Sequence, residues 1–106
     1  MGELDAAKRL QLHTLLVELI APHKVYFQPP SSVKLTYPCI IYSLDTIVTK
    51  YADSIKYKNK KAYTVTVIDQ NPDSDIPLEL LSLEYCSFDR FFVADNLNHF
   101  AFKLYY

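Results

Sequence analysis

Apolar positions first recur at helical spacing near the start of the chain. Leu12, Leu15, Leu16 and Leu19 fall at i, i+3, i+4 and i+7, with Ile20 and Ala7 near the same stripe. Lys8, Arg9, Gln11 and Glu18 lie off it. Asp5 can cap the start or favour the helix dipole, and Pro22 stops the run, so a helix is predicted over 4–21. The period then changes. In the segment 23–28, Val25 and Phe27 share one side, and Pro29 and Pro30 end the strand because proline cannot donate to a ladder. Tyr37-Pro38 leads into a strongly β-prone run from Cys39 to Val48, followed by a polar, lysine-rich stretch, 49–61.

Residues 62–69 alternate cleanly: Tyr63, Val65 and Val67 face one way, Thr64 and Thr66 the other, as in a half-buried strand. Residues 71–77 read as a turn into a short helix. Asp73, Ser74 or Asp75 is available as N-cap, Pro77 sits in the first turn, and Ile76, Leu80 and Leu83 share a face. The final segments, 87–93 and 99–106, flank the loop 94–98 and read as a hairpin. In its second strand Phe100, Phe102, Leu104 and Tyr106 share one face; His99, Ala101, Lys103 and Tyr105 share the other. The element order is α-β-β-β-α-β-β. Strands joined by short links predict an α+β fold, an antiparallel β-sheet with two helices on one face. One domain spans 1–106, with a projecting hairpin or loop at about 49–61.

Composition narrows this further. A chain of 106 residues, half of them apolar, holds one core and sits near the size where subunit contacts supply part of the stability. The formal net charge of −1 gives no global electrostatic case for nucleic acid or an anionic membrane. No apolar stretch approaches the ~18 residues of a membrane span. Nine Tyr and six Phe, with no Trp, suit half-buried strands and subunit interfaces. Gly2 is the only glycine, which excludes Gly-rich phosphate loops and leaves positive-φ turns to Asn59, Asn71, Asn96, Asn98 or aspartates. The charged start, Met1 to Lys8, with no apolar segment after it, reads as no signal peptide. Cys39 and Cys86 are therefore expected as free, buried thiols in a reducing compartment.

Candidate chemistry is sparse. Cys86 lies near Asp89 with His99 across the hairpin, but its neighbours are aromatic and no helix N-terminus precedes it, so a buried structural cysteine is the better reading. His13, His23 and His99 are isolated, without metal-ligand spacing. Asp73, Asp75 and Glu79 cluster where a helix start attracts acids anyway. No catalytic, cofactor or metal residue is assigned, and the chain is expected not to be an enzyme. The stretch 50–61 has more content. Lys50, Tyr51, Lys56, Tyr57, Lys58 and Lys60 fit a solvated hairpin tip, a protein-facing contact arm, or a nucleic-acid contact. Three further interface candidates follow. Tyr26, Phe27 and Gln28, with the two prolines after them, form either a rigid exposed strand end or a plain terminator. Asp95, Asn96 and Asn98 form either a contact loop or the turn of the hairpin. Tyr105 and Tyr106 are expected to dock in the sheet or against a neighbour, because two aromatic strands here leave an edge that needs covering.

The segments VYFQPPSSVKLTYPCIIY, AYTVTVIDQNPDSDIP and CSFDRFFVADNLNHFAFKLYY resemble the tail-terminator or tail-completion (neck) proteins of tailed bacteriophages, over roughly residues 25–106. The resemblance implies a tail-terminator-like fold and a hexameric ring that caps the completed tail tube, halts its growth and joins tail to head. The implied partners are further copies of the chain, the tail tube protein and head-completion or connector proteins, with DNA passing through the lumen without specific recognition. The implied location is the head–tail junction of a virion assembled in the host cytoplasm. The chain is short for a tail terminator, which leaves a head-closure or stopper role open. A nucleic-acid-binding module using the 50–61 lysines is the alternative from another class.

Overall fold

The computed structural model describes the backbone of residues 2–52 and 55–106 and the side chains of 7–47 and 61–106. The elements are α1 (Gly2–Ile20), β1 (Lys24–Phe27), β2 (Cys39–Ala52), β3 (Ile55–Asp69), α2 (Ile76–Leu80), β4 (Cys86–Ala94) and β5 (Leu97–Tyr105). This is the order expected from the pattern. The five strands make one sheet in the order β1-β2-β3-β5-β4.

The core lies between one face of this sheet and the two helices. Leu12, Leu16 and Ile20 of α1 are buried with Ile76 and Leu80 of α2 against Ile40, Tyr42, Tyr63, Val65, Val67, Phe102 and Leu104. Leu15, Leu19, Val25, Phe27, Leu83, Phe100 and Tyr106 pack around that centre. The helical stripe and both alternating strands are thus the buried faces, although Ala7, placed near the stripe by spacing, is exposed. Tyr42 is the hub: its ring lies 4.9 Å from Phe27 and 6.0 Å from Tyr63, and its hydroxyl is 2.8 Å from His13 Nδ1. That pairing satisfies a phenol that burial would otherwise penalise.

The sheet is mixed rather than antiparallel, because β1 runs parallel to β2. The cause is the connection 28–38. It is long enough to carry the chain back to the start of β1, whereas an antiparallel neighbour needs only a short turn. Gln28, at φ 43°, finishes the exit from β1: its N–H donates to the Tyr42 carbonyl (2.9 Å) and its Oε1 accepts from the Leu44 N–H (3.1 Å). The remaining ladders, β2–β3, β3–β5 and β4–β5, are antiparallel. A bulge after Leu44 and another after Phe88 interrupt the strict alternation.

The last turn is tighter than the loop read over 94–98. Leu97 and Asn98 belong to β5, and the turn is Asp95-Asn96 alone, at φ 53° and 61°. A two-residue hairpin turn of type I′ requires both central residues at positive φ, which Asp and Asn tolerate best after glycine. Gln28 and Tyr85, at φ 43° and 62°, join Asp95 and Asn96 as the positive-φ residues among the described ones. Asn59 instead lies within β3, Asn71 acts through its side chain, whose Oδ1 accepts from the Asp73 N–H, and Asn98 is a strand residue. Asn96→Gly is expected to hold or raise the thermal midpoint, while Asn96→Val is expected to cost about 1–2 kcal/mol. Thermal unfolding followed by circular dichroism reads the difference.

Candidate interaction surface

Two features of the sheet leave backbone and apolar surface without cover. The first is the length of β2 and β3. Pairing with β1 ends at Phe27↔Tyr42, and pairing with β5 ends at Ala62↔Tyr105. The β2–β3 ladder continues from Ile47↔Lys61 to Ala52↔Ile55, about 20 Å further at strand rise. Among the described residues no other strand flanks that extension. The molecule measures 49 × 25 × 23 Å. The stretch 49–61 is therefore paired strand over its described backbone rather than loop. The side chains of Lys50, Tyr51, Lys56, Tyr57, Lys58 and Lys60 lie outside the described residues.

The second feature is β4, the edge strand beyond β5. Phe88 and Phe91 stand over Phe102 and Phe100 of β5, at ring separations of 5.5 and 5.0 Å, on the face the helices cover elsewhere. Here the cover stops: Phe88, Phe91 and Val93 are exposed by 49, 47 and 60%. Leu78 and Leu81 of α2, and Tyr85 before β4, are exposed as well. On the opposite face Phe92 stacks on His99 at 4.6 Å, with Arg90 5.2 Å above its ring. A nine-residue edge strand carrying this much apolar surface leaves its outer backbone groups and its rings open to a further strand.

The other candidates have partners within the chain. Tyr26 Oη accepts from the Thr36 N–H (3.3 Å), tethering the 28–38 connection, which borders a groove of about 420 Å³ with Ile41 and Ser43 on the open face of the sheet. Phe27 lies under the Arg9 guanidinium, 4.3 Å from its centroid. Gln28 is held as described above. Asp95 and Asn96 make the β4–β5 turn, and the Asn98 amide donates to the Asp69 and Gln70 carbonyls (3.1 and 3.2 Å), fastening β5 to the exit from β3. Tyr105 N–H donates to the Tyr85 carbonyl (3.1 Å) and Tyr106 N–H to the Lys61 carbonyl (2.9 Å), so this end of the chain docks in its own sheet.

The residues weighed for chemistry do not converge. Cys86 turns to the core opposite Leu104, whereas His99 is paired with Phe92 on the other face. Cys39 and Cys86 are both free. Burial, with the Asp69 carboxylate adding to it, pushes the Cys39 thiol up to about 11, and burial raises Cys86 also. Neither offers the stabilised thiolate a nucleophile needs. His13 is lowered by burial and then by the Arg9 charge. Among the described residues, no three His, Cys, Asp or Glu side chains gather as a metal group would require, and no helix is long and apolar enough to cross a membrane.

The raised Cys39 gives a signed pH effect. The ordinary thiol value is 9.0, so the unfolded chain releases this proton first. Stability is at its full value below about pH 9 and declines as pH rises towards 11. Cys39→Ala is expected to flatten that decline, and native-state iodoacetamide labelling at pH 8 is expected to leave Cys39 unmodified. Denaturation midpoints across pH 8–11 and intact-mass measurement check the two.

The row Phe88, Phe91, Val93 was not among the residues singled out from the sequence. Its signal is an alternation that fails at Asp89, where the bulge shifts the phase, so that Phe88 and Phe91 come to share a face. Compared with known proteins, the sequence matches no family model and no characterised protein significantly.

Proposed function

We propose that this chain is a structural subunit of a phage neck: a ring of identical copies that terminates the tail tube and joins tail to head. The observation that carries the assembly part is the β2–β3 ladder running past its sheet. A two-stranded ribbon alone is marginal in water, so such an extension is stabilised by a neighbour. The phage-neck part rests on the resemblance of the three segments over residues 25–106 to tail-completion proteins, with the element order α-β-β-β-α-β-β alongside it. The role is one of binding without turnover, in keeping with one buried and one half-buried thiol, both raised by burial, and with dispersed histidines.

Ring subunits use heterologous contacts, in which one patch meets a different patch on the next copy. A hairpin extension of β2–β3 and an apolar edge at β4 are two different patches of one sheet, as that requirement asks. Pull-down of the tagged chain against tail tube protein and against the portal-side adaptor tests the reading. Retention of the tube protein is expected. Retention of the adaptor alone assigns head closure instead, and retention of neither, by a chain that stays monomeric, removes the proposal.

A further inference from the structure

Charge divides this chain in a way the net value hides. Residues 49–61 carry five lysines against one aspartate, a formal +4. The whole chain is −1, so the remainder is −5. That negative charge is not spread evenly. Residues 69–95, which run from the end of β3 through α2 and β4, hold Asp69, Asp73, Asp75, Glu79, Glu84, Asp89 and Asp95 against Arg90 alone. All of these acids except Asp69 are exposed. The opposite edge of the sheet is different: residues 22–38, which contain β1, carry Lys24 and Lys34 and no acid.

The two sheet edges therefore differ in three respects. β4 is nine residues long and β1 is four. β4 exposes Phe88, Phe91 and Val93, whereas Val25 and Phe27 of β1 pack towards the core. The β4 side is acidic and the β1 side basic. A basic hairpin with two tyrosines in its sequence is attracted to the first and repelled by the second. Its backbone is already extended, so it can continue a sheet at an open edge by strand addition.

We propose that the β2–β3 hairpin of one copy docks along the β4 edge and the adjoining α2 surface of the next copy. The contact is head-to-tail, basic arm onto acidic, aromatic edge, and its repetition propagates around a ring. This deepens the ring reading and rests on it, by naming which two surfaces meet. The arm's lysines then serve copy-to-copy contact rather than DNA.

A charge-swap experiment tests it. The arm variant K56E/K58E/K60E and the edge variant E79K/E84K/D89K are made in the full chain, and each is compared with the unaltered protein by native mass spectrometry at about 150 mM salt. Each variant alone is expected at single-chain mass, since its arm and edge now repel. An equimolar mixture is expected to recover the assembled mass with the two variants alternating, because each arm again meets an edge of opposite sign. Recovery also shows that both variants are folded.

Three results overturn the docking. An arm variant that keeps the assembled mass does so while leaving the ring reading in place. A mixture that stays at single-chain mass, when both variants retain the circular dichroism and thermal midpoint of the unaltered protein, overturns it likewise. An unaltered chain that is monomeric at every concentration and binds neither tube nor adaptor overturns the docking and the ring together.

Discussion

Phe102→Ala is expected to lower the free energy of unfolding by about 3–5 kcal/mol, the range for truncating a buried phenylalanine. Phe102 is 1% exposed and sits in the middle of β5, paired with Val65 of β3 on one side and Phe88 of β4 on the other. It belongs to the cluster in which α1, α2 and the sheet meet, so the walls of the resulting cavity are three separate elements. Close-packed interiors relax only partly around a lost ring. Domains of this size are stable by roughly 5–15 kcal/mol, so the change removes a large fraction of the total. Urea denaturation of the arm variant, expected to be monomeric, separates folding from assembly and measures it. A loss below about 1.5 kcal/mol would place the core elsewhere than between these helices and this face.

Phe91→Asp has the opposite profile. The ring is nearly half exposed, and its main partner is the Phe100 ring at 5.0 Å. Losing that pair and its share of burial is expected to cost the single chain about 1–2 kcal/mol. Assembly is expected to suffer far more, falling to single-chain mass at concentrations where the unaltered protein is fully associated. A carboxylate in the middle of the apolar row must be desolvated when the arm covers it, a cost that the arm's lysines offset only in part, whereas an edge open to water leaves it hydrated. Light scattering and chemical denaturation on the same sample give both quantities. Full assembly with aspartate at this position would exclude the β4 edge as a contact surface.

The difference between these two phenylalanines also marks what the sequence could convey. Phe102 lies in a run, Phe100 to Tyr106, whose alternation is unbroken, and its burial follows from period alone. The same holds for Tyr63, Val65 and Val67, and for Leu12 and Leu16 on α1. Phe91 lies two residues past a bulge. Bulges are set by the partner strand, so the face of Phe91 becomes readable only once β4 is laid against β5. Direction is hidden in the same way: nothing in Val25 or Phe27 says that β1 runs parallel to β2, because the connection 28–38 decides it. The lysine-rich stretch reads from sequence as a projecting hairpin or a loop, since Lys and Asn are poor strand formers; the ladder from Thr49↔Asn59 to Ala52↔Ile55 decides for the hairpin.

Among the candidate contact residues, period and turn chemistry located Asp95 and Asn96 at the hairpin turn and set Tyr105 and Tyr106 at the close of a strand. They did not reveal the acidic, aromatic side formed by α2 and β4, because its residues are consecutive in sequence with no motif among them. It is a surface only because β4 is an edge.

The proposed ring stops a tail tube from growing, and electron microscopy of tail tube protein polymerising with and without the purified chain reads that arrest. The expected result is tubes of arrested length, each bearing a ring-shaped density at one end, with a dose dependence that saturates near one ring per tube. Tubes that elongate at the unhindered rate, with the chain left unbound in solution, would contradict it.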